Sequence, residues 1–218
     1  MASARARVAD GAATPFEPDA VLAPLPDPGQ MLFCGLTHRA LRDDLGGGER
    51  LTDHPYVYAK LQHTIIGPGE PIVIPTETTD ACWEVELGVI IGRDARNVSV
   101  EQAVEHVFGY TVINDVTALD EMRDSMFVLT DELPDAGQAG QRTIVNGVVR
   151  QDGSMADCWF TVSEIVSWLS SRFTLRAGDL ISTGTPPGIA GMAPGDEVVC
   201  EIDGVGRLVN PVVAGWQS

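Results

Sequence analysis

The run from Cys82 to Gly92 alternates in the way a β-strand requires. Trp83, Val85, Leu87 and Val89 fall on one side, and Glu84, Glu86, Gly88 and Ile90 on the other. Residues i and i+2 of a strand leave the same face, so two carboxylates emerge together, with Gly88 leaving room beside them. Taken alone, a Glu-x-Glu pair is more often the solvated face of an amphipathic strand. Glutamate is depleted in strands, however, and this face also carries Ile90. Asp115 lies in a second strand-like run, Phe108 to Val116, which can lie beside the first. Three hard oxygen ligands with no clustered His or Cys suit Mg²⁺, Mn²⁺ or Ca²⁺, and not zinc.

The rest of the chain is punctuated in the same short rhythm. Residues 1–28 are rich in Ala, Pro and Asp without a steady period and read as an arm, leaving 29–218 as one domain. Met31 to Leu36, Tyr56 to Lys60, Pro71 to Ile74 and Asp179 to Ser182 read as strands. Asn146-Gly147 between two apolar runs is a hairpin signal, and Asp203-Gly204 joins Glu197–Ile202 to Val205–Val209 as a second. Helices are expected over Thr37 to Leu45, after a Ser99/Gln102 capping box with a stripe of Val100, Ala103, Val104 and Val107, and over Ser163 to Arg172. The glycine-rich stretch from Gly46 to Pro55 reads as a lid or mobile loop. About ten short strands with two or three helices make the chain mainly β with a few helices, an α+β fold.

Charge and cysteines narrow the function classes. A formal net charge of −17 repels phosphate backbones and anionic lipid surfaces, which argues against nucleic-acid and membrane partners. Cys34, Cys82, Cys158 and Cys200 are widely spaced, without a Cys-x-x-Cys, and read as buried reduced thiols of a cytoplasmic protein. No apolar leader opens the sequence, and no stretch has the length of a membrane span.

Seven motifs then fall in a familiar order. They are Cys34-Gly35-Leu36-Thr37-His38-Arg39, Ile66-Gly67-Pro68-Gly69-Glu70-Pro71, Glu84-Val85-Glu86-Leu87, Gly109 through Asn114-Asp115-Val116-Thr117, Val145-Asn146-Gly147, Ser182-Thr183-Gly184-Thr185-Pro186, and Gly204 through Asn210-Pro211. Over about residues 29 to 214 the chain resembles the fumarylacetoacetate hydrolase family. It is most similar to the small bacterial branch of decarboxylase/isomerases, acylpyruvate hydrolases and oxaloacetate decarboxylases. The resemblance implies a mixed β-roll, a homodimer, and a Mg²⁺ or Mn²⁺ cofactor on Glu84, Glu86 and Asp115. It also implies a small 2-oxo acid or 1,3-dicarbonyl substrate, chelated by the ion, which stabilises an enolate as a C–C bond breaks or a proton moves. Thr185, in the Thr-Gly-Thr-Pro turn, and Lys60, before a loop that borders the family's pocket, are the implied substrate contacts.

The pattern also departs from the family. Leu41 stands where hydrolases of the family carry a water-activating His, with Asp44 at the place of its acid partner, and His38 stands at a usual Tyr. Leu119 replaces an Arg, and no lysine occurs between Val116 and Val149, where the family has one. Arg123 and Arg142 can replace the lost charge, although both also suit a plain surface. His38 and His63 are the available acid–base groups. Without the water-activating pair, decarboxylation or keto–enol isomerisation is the expected chemistry, ahead of hydrolytic C–C cleavage of an acylpyruvate. The alternatives are a degenerate member that binds a metabolite or partners an active relative, and a biosynthetic enzyme with a reshaped pocket.

Overall fold

The computed structural model describes residues 23–44, 53–122 and 138–215. Most of the expected arm, the expected lid from 46 to 52, and Arg123 lie outside the described residues. Short apolar runs broken by turn residues give strands β1 (Met31–Gly35), β2 (Tyr56–Ala59), β3 (Ile72–Ile74), β4 (Ala81–Cys82), β5 (Val85–Ile91) and β6 (Val107–Asn114). They continue as β7 (Thr117–Ala118), β8 (Gly140–Val145), β9 (Val148–Ser154), β10 (Leu180–Ser182), β11 (Glu197–Ile202) and β12 (Gly206–Ala214). Four helices are described: α1 (Arg39–Asp44), α2 (Val100–Ala103), α3 (Leu119–Met122) and α4 (Val162–Arg172).

One mixed sheet has the order β2-β1-β10-β5-β6, the other β3-β12-β11-β8-β9, and β4 pairs β7. A continuous core of strand residues and α4 joins them, including Val85, Leu87, Val89, Ile165, Leu169, Val198 and Ile202. The mainly-β class is therefore observed. The Asn146-Gly147 hairpin is present, both residues in the left-handed region (φ 52° and 78°) that the right-handed strand twist requires. All four cysteines are free and buried.

Three local expectations are corrected. The run 82–92 is not one strand: it breaks at Trp83–Glu84, so Glu86 lies on β5 and Glu84 just ahead of it. The space above Gly88 belongs to its neighbour strand, because a Cβ there would meet Thr111 Cγ2 at 2.6 Å and Ile113 Cδ1 at 2.8 Å. The stripe after Ser99 also fails. The capping box forms, but the helix is one turn long and passes into a 3₁₀ turn, which leaves Val100 and Val104 exposed and Val107 in β6. A change of period from 3.6 to 3.0 residues rotates such a stripe out of register.

The first sheet is curled. Tyr58 on edge strand β2 hydrogen-bonds Asp115, the residue after opposite edge strand β6. Laid flat, strands four places apart would be about 19 Å from each other, beyond any tyrosine. The curl gathers the ends of β2, β5, β6 and β10 into one place.

A cradle of three carboxylates

Glu84, Glu86 and Asp115 each place a carboxylate oxygen within 4.8 Å of the others. The backbone fixes this. β5 and β6 pair antiparallel with Val85 opposite Asn114. Past that pair, Asp115 N donates to Glu84 O (2.8 Å), and Asn114 Oδ1 accepts from Glu84 N (3.0 Å). Two strand ends are thus stitched together at the residues that carry the carboxylates.

Each carboxylate has its own partners. Glu86, buried, accepts from the Ser182 hydroxyl and from Gly184 N (2.9 Å). Asp115, also buried, accepts from the Tyr58 hydroxyl at 2.5 Å and is ion-paired with Lys60, whose Nζ also donates to Val116 O at 2.8 Å. Glu84, half-buried, lies 3.7 Å from Cys82 Sγ. Burial, then the neighbouring Asp115, pushes Glu84 up to about 8. Burial and then Asp115 and Glu84 hold Glu86 well above the carboxylate range. Asp115 is raised by burial, against the pull of Lys60 and Tyr58. Like charges gathered in a desolvated place keep protons unless a cation is supplied.

This donor set fits a hard divalent ion: three carboxylates, no imidazole or thiolate among them, all within reach of one point. Glu84, Glu86 and Asp115 would hold such an ion, which would supply Lewis-acid stabilisation of a negatively charged oxygen.

The turn after β10 forms the floor. Gly184 has φ 97°, and a Cβ there would lie 1.9 Å from Thr37 Oγ1 and 2.7 Å from Cys34 O, so only glycine fits. Thr185 is buried, and its hydroxyl accepts from Gln151 Nε2 at 2.9 Å. Gln151 also donates to Pro186 O (2.7 Å) and accepts from Val85 N (3.2 Å) and Thr143 Oγ1 (2.7 Å). One fully satisfied amide thus ties the start of β5 to the turn that carries Thr185.

The two histidines are placed differently. His38 is fully buried, with Nε2 3.2 Å from Cys158 Sγ, and is not among the groups that converge with the carboxylates. Burial lowers its pKa to about 4 and raises that of Cys158 to about 12, so the pair is neutral. Around it, Trp159 N donates to Thr37 O (2.7 Å) and Arg39 stacks on the Trp159 ring at 4.9 Å. His63 is exposed, in a 3₁₀ turn over Gln62–Thr64. Leu41 is buried, so no hydrophilic group stands at that position. Arg142 is ion-paired with Asp203 in the second sheet.

Sequence reasoning missed Tyr58, Ser182 and Gln151 as parts of the cradle. Two signals were present. Lys60 is the only lysine among 14 basic residues, which marks a place where arginine does not serve. Tyr58 precedes it by two, the spacing of one strand face. Gln151 had no local signal.

A curled mixed sheet that brings Glu84, Glu86 and Asp115 together fits a carboxylate-bound divalent-cation site. The family model described as fumarylacetoacetate (FAA) hydrolase C-terminal matches residues 38–131 and 125–213, and the chain belongs to that family. It is 39% identical over 180 residues to the 4-hydroxyphenylacetate degradation bifunctional isomerase/decarboxylase of Escherichia coli, covering 74% of this chain and 42% of that one. The chain thus spans less than half the length of that relative. It is 34% identical over 216 residues to oxaloacetate tautomerase YisK of Bacillus subtilis, covering 87% and 72%. Among solved structures, 5-carboxymethyl-2-hydroxymuconate delta-isomerase from Mycobacterium smegmatis superposes with a TM-score of 0.78 at 32% identity, over 90% and 83% of the chains. Fumarylpyruvate hydrolase from Pseudomonas aeruginosa, in complex with Mn²⁺ and pyruvate, gives 0.77 at 26%, over 86% and 90%. These relatives are isomerases, decarboxylases, tautomerases and hydrolases of one family. No helix among the described residues is long and apolar enough to cross a membrane.

Proposed function

We propose that this chain is a Mg²⁺- or Mn²⁺-dependent enzyme that enolises or decarboxylates a small 2-oxo acid or 1,3-dicarbonyl compound. The observation that carries this reading is the convergence of Glu84, Glu86 and Asp115 with Lys60 beside them. Both reactions build negative charge on the oxygen of the oxo group, which is where a hard cation acts. Lys60 offers the positive charge for a substrate carboxylate, and its side chain is 24% exposed, so a ligand can reach it. Thr185 stands one residue past Gly184, whose N–H holds Glu86, and its hydroxyl is aimed by Gln151. His63, in the turn after Lys60, is the group proposed to pass the proton, with solvent as its substitute. His38 is assigned a structural role at Cys158.

Two features support enolisation and decarboxylation ahead of hydrolysis. Leu41 leaves no base at the family's water-activating position, and the tautomerase and isomerase/decarboxylase relatives are 34% and 39% identical. The decisive experiment is turnover of oxaloacetate and of acylpyruvates with Mg²⁺ and Mn²⁺, following enol absorbance, CO₂ release and ¹⁸O uptake from water. Metal-dependent enol loss or CO₂ release is the expected result. Efficient entry of ¹⁸O into a product acid would replace this reading by hydrolysis. Metal binding with no turnover of any such acid would support a metabolite-binding or partner-subunit role. The proposal includes a homodimer, for which sedimentation equilibrium is the test.

A further inference from the structure

The oxygens of Asp115 are not equivalent. Oδ2 accepts the Tyr58 hydroxyl at 2.5 Å, while Oδ1 faces Lys60 Nζ. Tyr58 cannot readily turn away. Its ring lies on Phe33, its partner across β1 and β2, with centroids 5.7 Å apart and planes at 27°. Phe33 is buried with Met31 and Leu180, and Ile65, Ile90 and Ile113 pack on the same cluster. Tyr58 is half-buried, and its hydroxyl keeps its acceptor, because a hydroxyl held from water without a partner costs more than the bond itself contributes. Glu86 is treated alike: its Oε2 is committed to Ser182 and Gly184. Glu86 therefore has one oxygen already in use, and Asp115 has Oδ2 held by Tyr58 while Oδ1 is ion-paired with Lys60.

We propose that Tyr58 is a specificity-determining residue of the cation site, which restricts Asp115 to one ligating oxygen and so selects Mg²⁺ or Mn²⁺ over Ca²⁺. Mg²⁺ demands six ligands in near-ideal octahedral geometry and takes carboxylates through single oxygens. Ca²⁺ accepts six to eight oxygens and gains from bidentate carboxylates, which Tyr58 and the Ser182–Gly184 pair deny it. The inference rests on the cation reading given above, and it assigns the selectivity to one hydroxyl on β2.

The test is calorimetric titration of the full chain with MgCl₂, MnCl₂ and CaCl₂, without substrate, in the wild type and in Tyr58→Phe. Phenylalanine keeps the stacked ring and removes only the hydroxyl. Lys60 is present in both proteins, so its displacement is common to every titration. The wild type is expected to prefer Mn²⁺ to Ca²⁺, and in the variant the ratio of the two affinities should fall about tenfold, the scale on which groups behind a metal ligand act. An unchanged ratio, with both affinities moved by the same factor, would overturn the assignment. A wild type that binds none of the three ions would defeat the cation reading itself, and this inference with it. If Tyr58→Phe does not fold, a crystal structure of the wild type with Mn²⁺ decides: Asp115 bound through one oxygen with Tyr58 on the other supports the role, and a bidentate Asp115 refutes it.

Discussion

Two buried polar clusters lie on either side of the turn after β10, and they meet burial in opposite ways. On one side, three carboxylates converge, and burial with mutual repulsion raises all of them. On the other, His38 and Cys158 share one contact, and burial drives the imidazole down to about 4 and the thiol up to about 12. The second cluster is relaxed, since both members are neutral at pH 7. The first lacks positive charge, since among the described residues Lys60 alone faces three acids. A shifted pKa is thus no mark of function by itself. The informative feature is like charge gathered where the fold gains nothing from it.

The largest expected effect touches both clusters at once. Gly184 donates to Glu86 on one side and packs on Thr37, next to His38, on the other. Gly184→Ala combines a positive φ with a steric overlap and should cost roughly 3 kcal/mol or more in urea unfolding. A loss under about 1 kcal/mol would show that the two clusters do not depend on the shared turn.

Next comes the response to metal. Mn²⁺ at 100 times its dissociation constant should stabilise the wild type by about 2.7 kcal/mol. Glu86→Ala should abolish that gain in a thermal-shift titration, while His38→Leu should keep it. The same pair sharpens the comparison without metal. His38→Leu removes one partner of the Cys158 thiol and repacks a fully buried position, and should cost roughly 1–3 kcal/mol, with the metal response intact. Loss of the Mn²⁺ response in His38→Leu would join the two clusters into one site.

The pH dependences should run in opposite directions. His38 has a folded pKa below its ordinary 6.5, so its contribution is present above 6.5 and is lost as pH falls towards about 4. Glu84 has a folded pKa raised from 4.5 to about 8, so the metal-free fold loses stability as pH rises through that window. Saturating Mn²⁺ should remove the Glu84 component and leave that of His38, which His38→Leu should remove instead. Urea midpoints from pH 4 to 8 read both. The smallest effect is expected at His63, exposed in its 3₁₀ turn: His63→Ala should change stability by less than about 0.5 kcal/mol. If it carries the proton, turnover should fall by ~10²-fold or more.

Much of this was legible locally. Alternation found β5 and β6, and the Asn146-Gly147 and Asp203-Gly204 pairs found two hairpins, because those signals depend on neighbours in sequence. The span of α4 was readable from its apolar face, and its Thr161 cap acts within three residues. The valine stripe after Ser99 misled because the helix passes after one turn into a 3₁₀ turn, whose period carries the stripe out of register.

The sequence by itself determined which side chains could hold a hard cation, since Glu84 and Glu86 are separated by strand spacing and Asp115 ends a strand that can pair beside them. It also put Leu41, an apolar side chain in any fold, where the resemblance to the family implies a water-activating histidine. Only the tertiary structure decided that Lys60 and Tyr58 belong to Asp115, that Gln151 aims Thr185, and that His38 belongs to Cys158. Those contacts join residues 57, 55, 34 and 120 positions apart in the chain. The contacts of Asp115 depend on how far a sheet curls and the others on how the two sheets and their turns pack together, which no local pattern encodes.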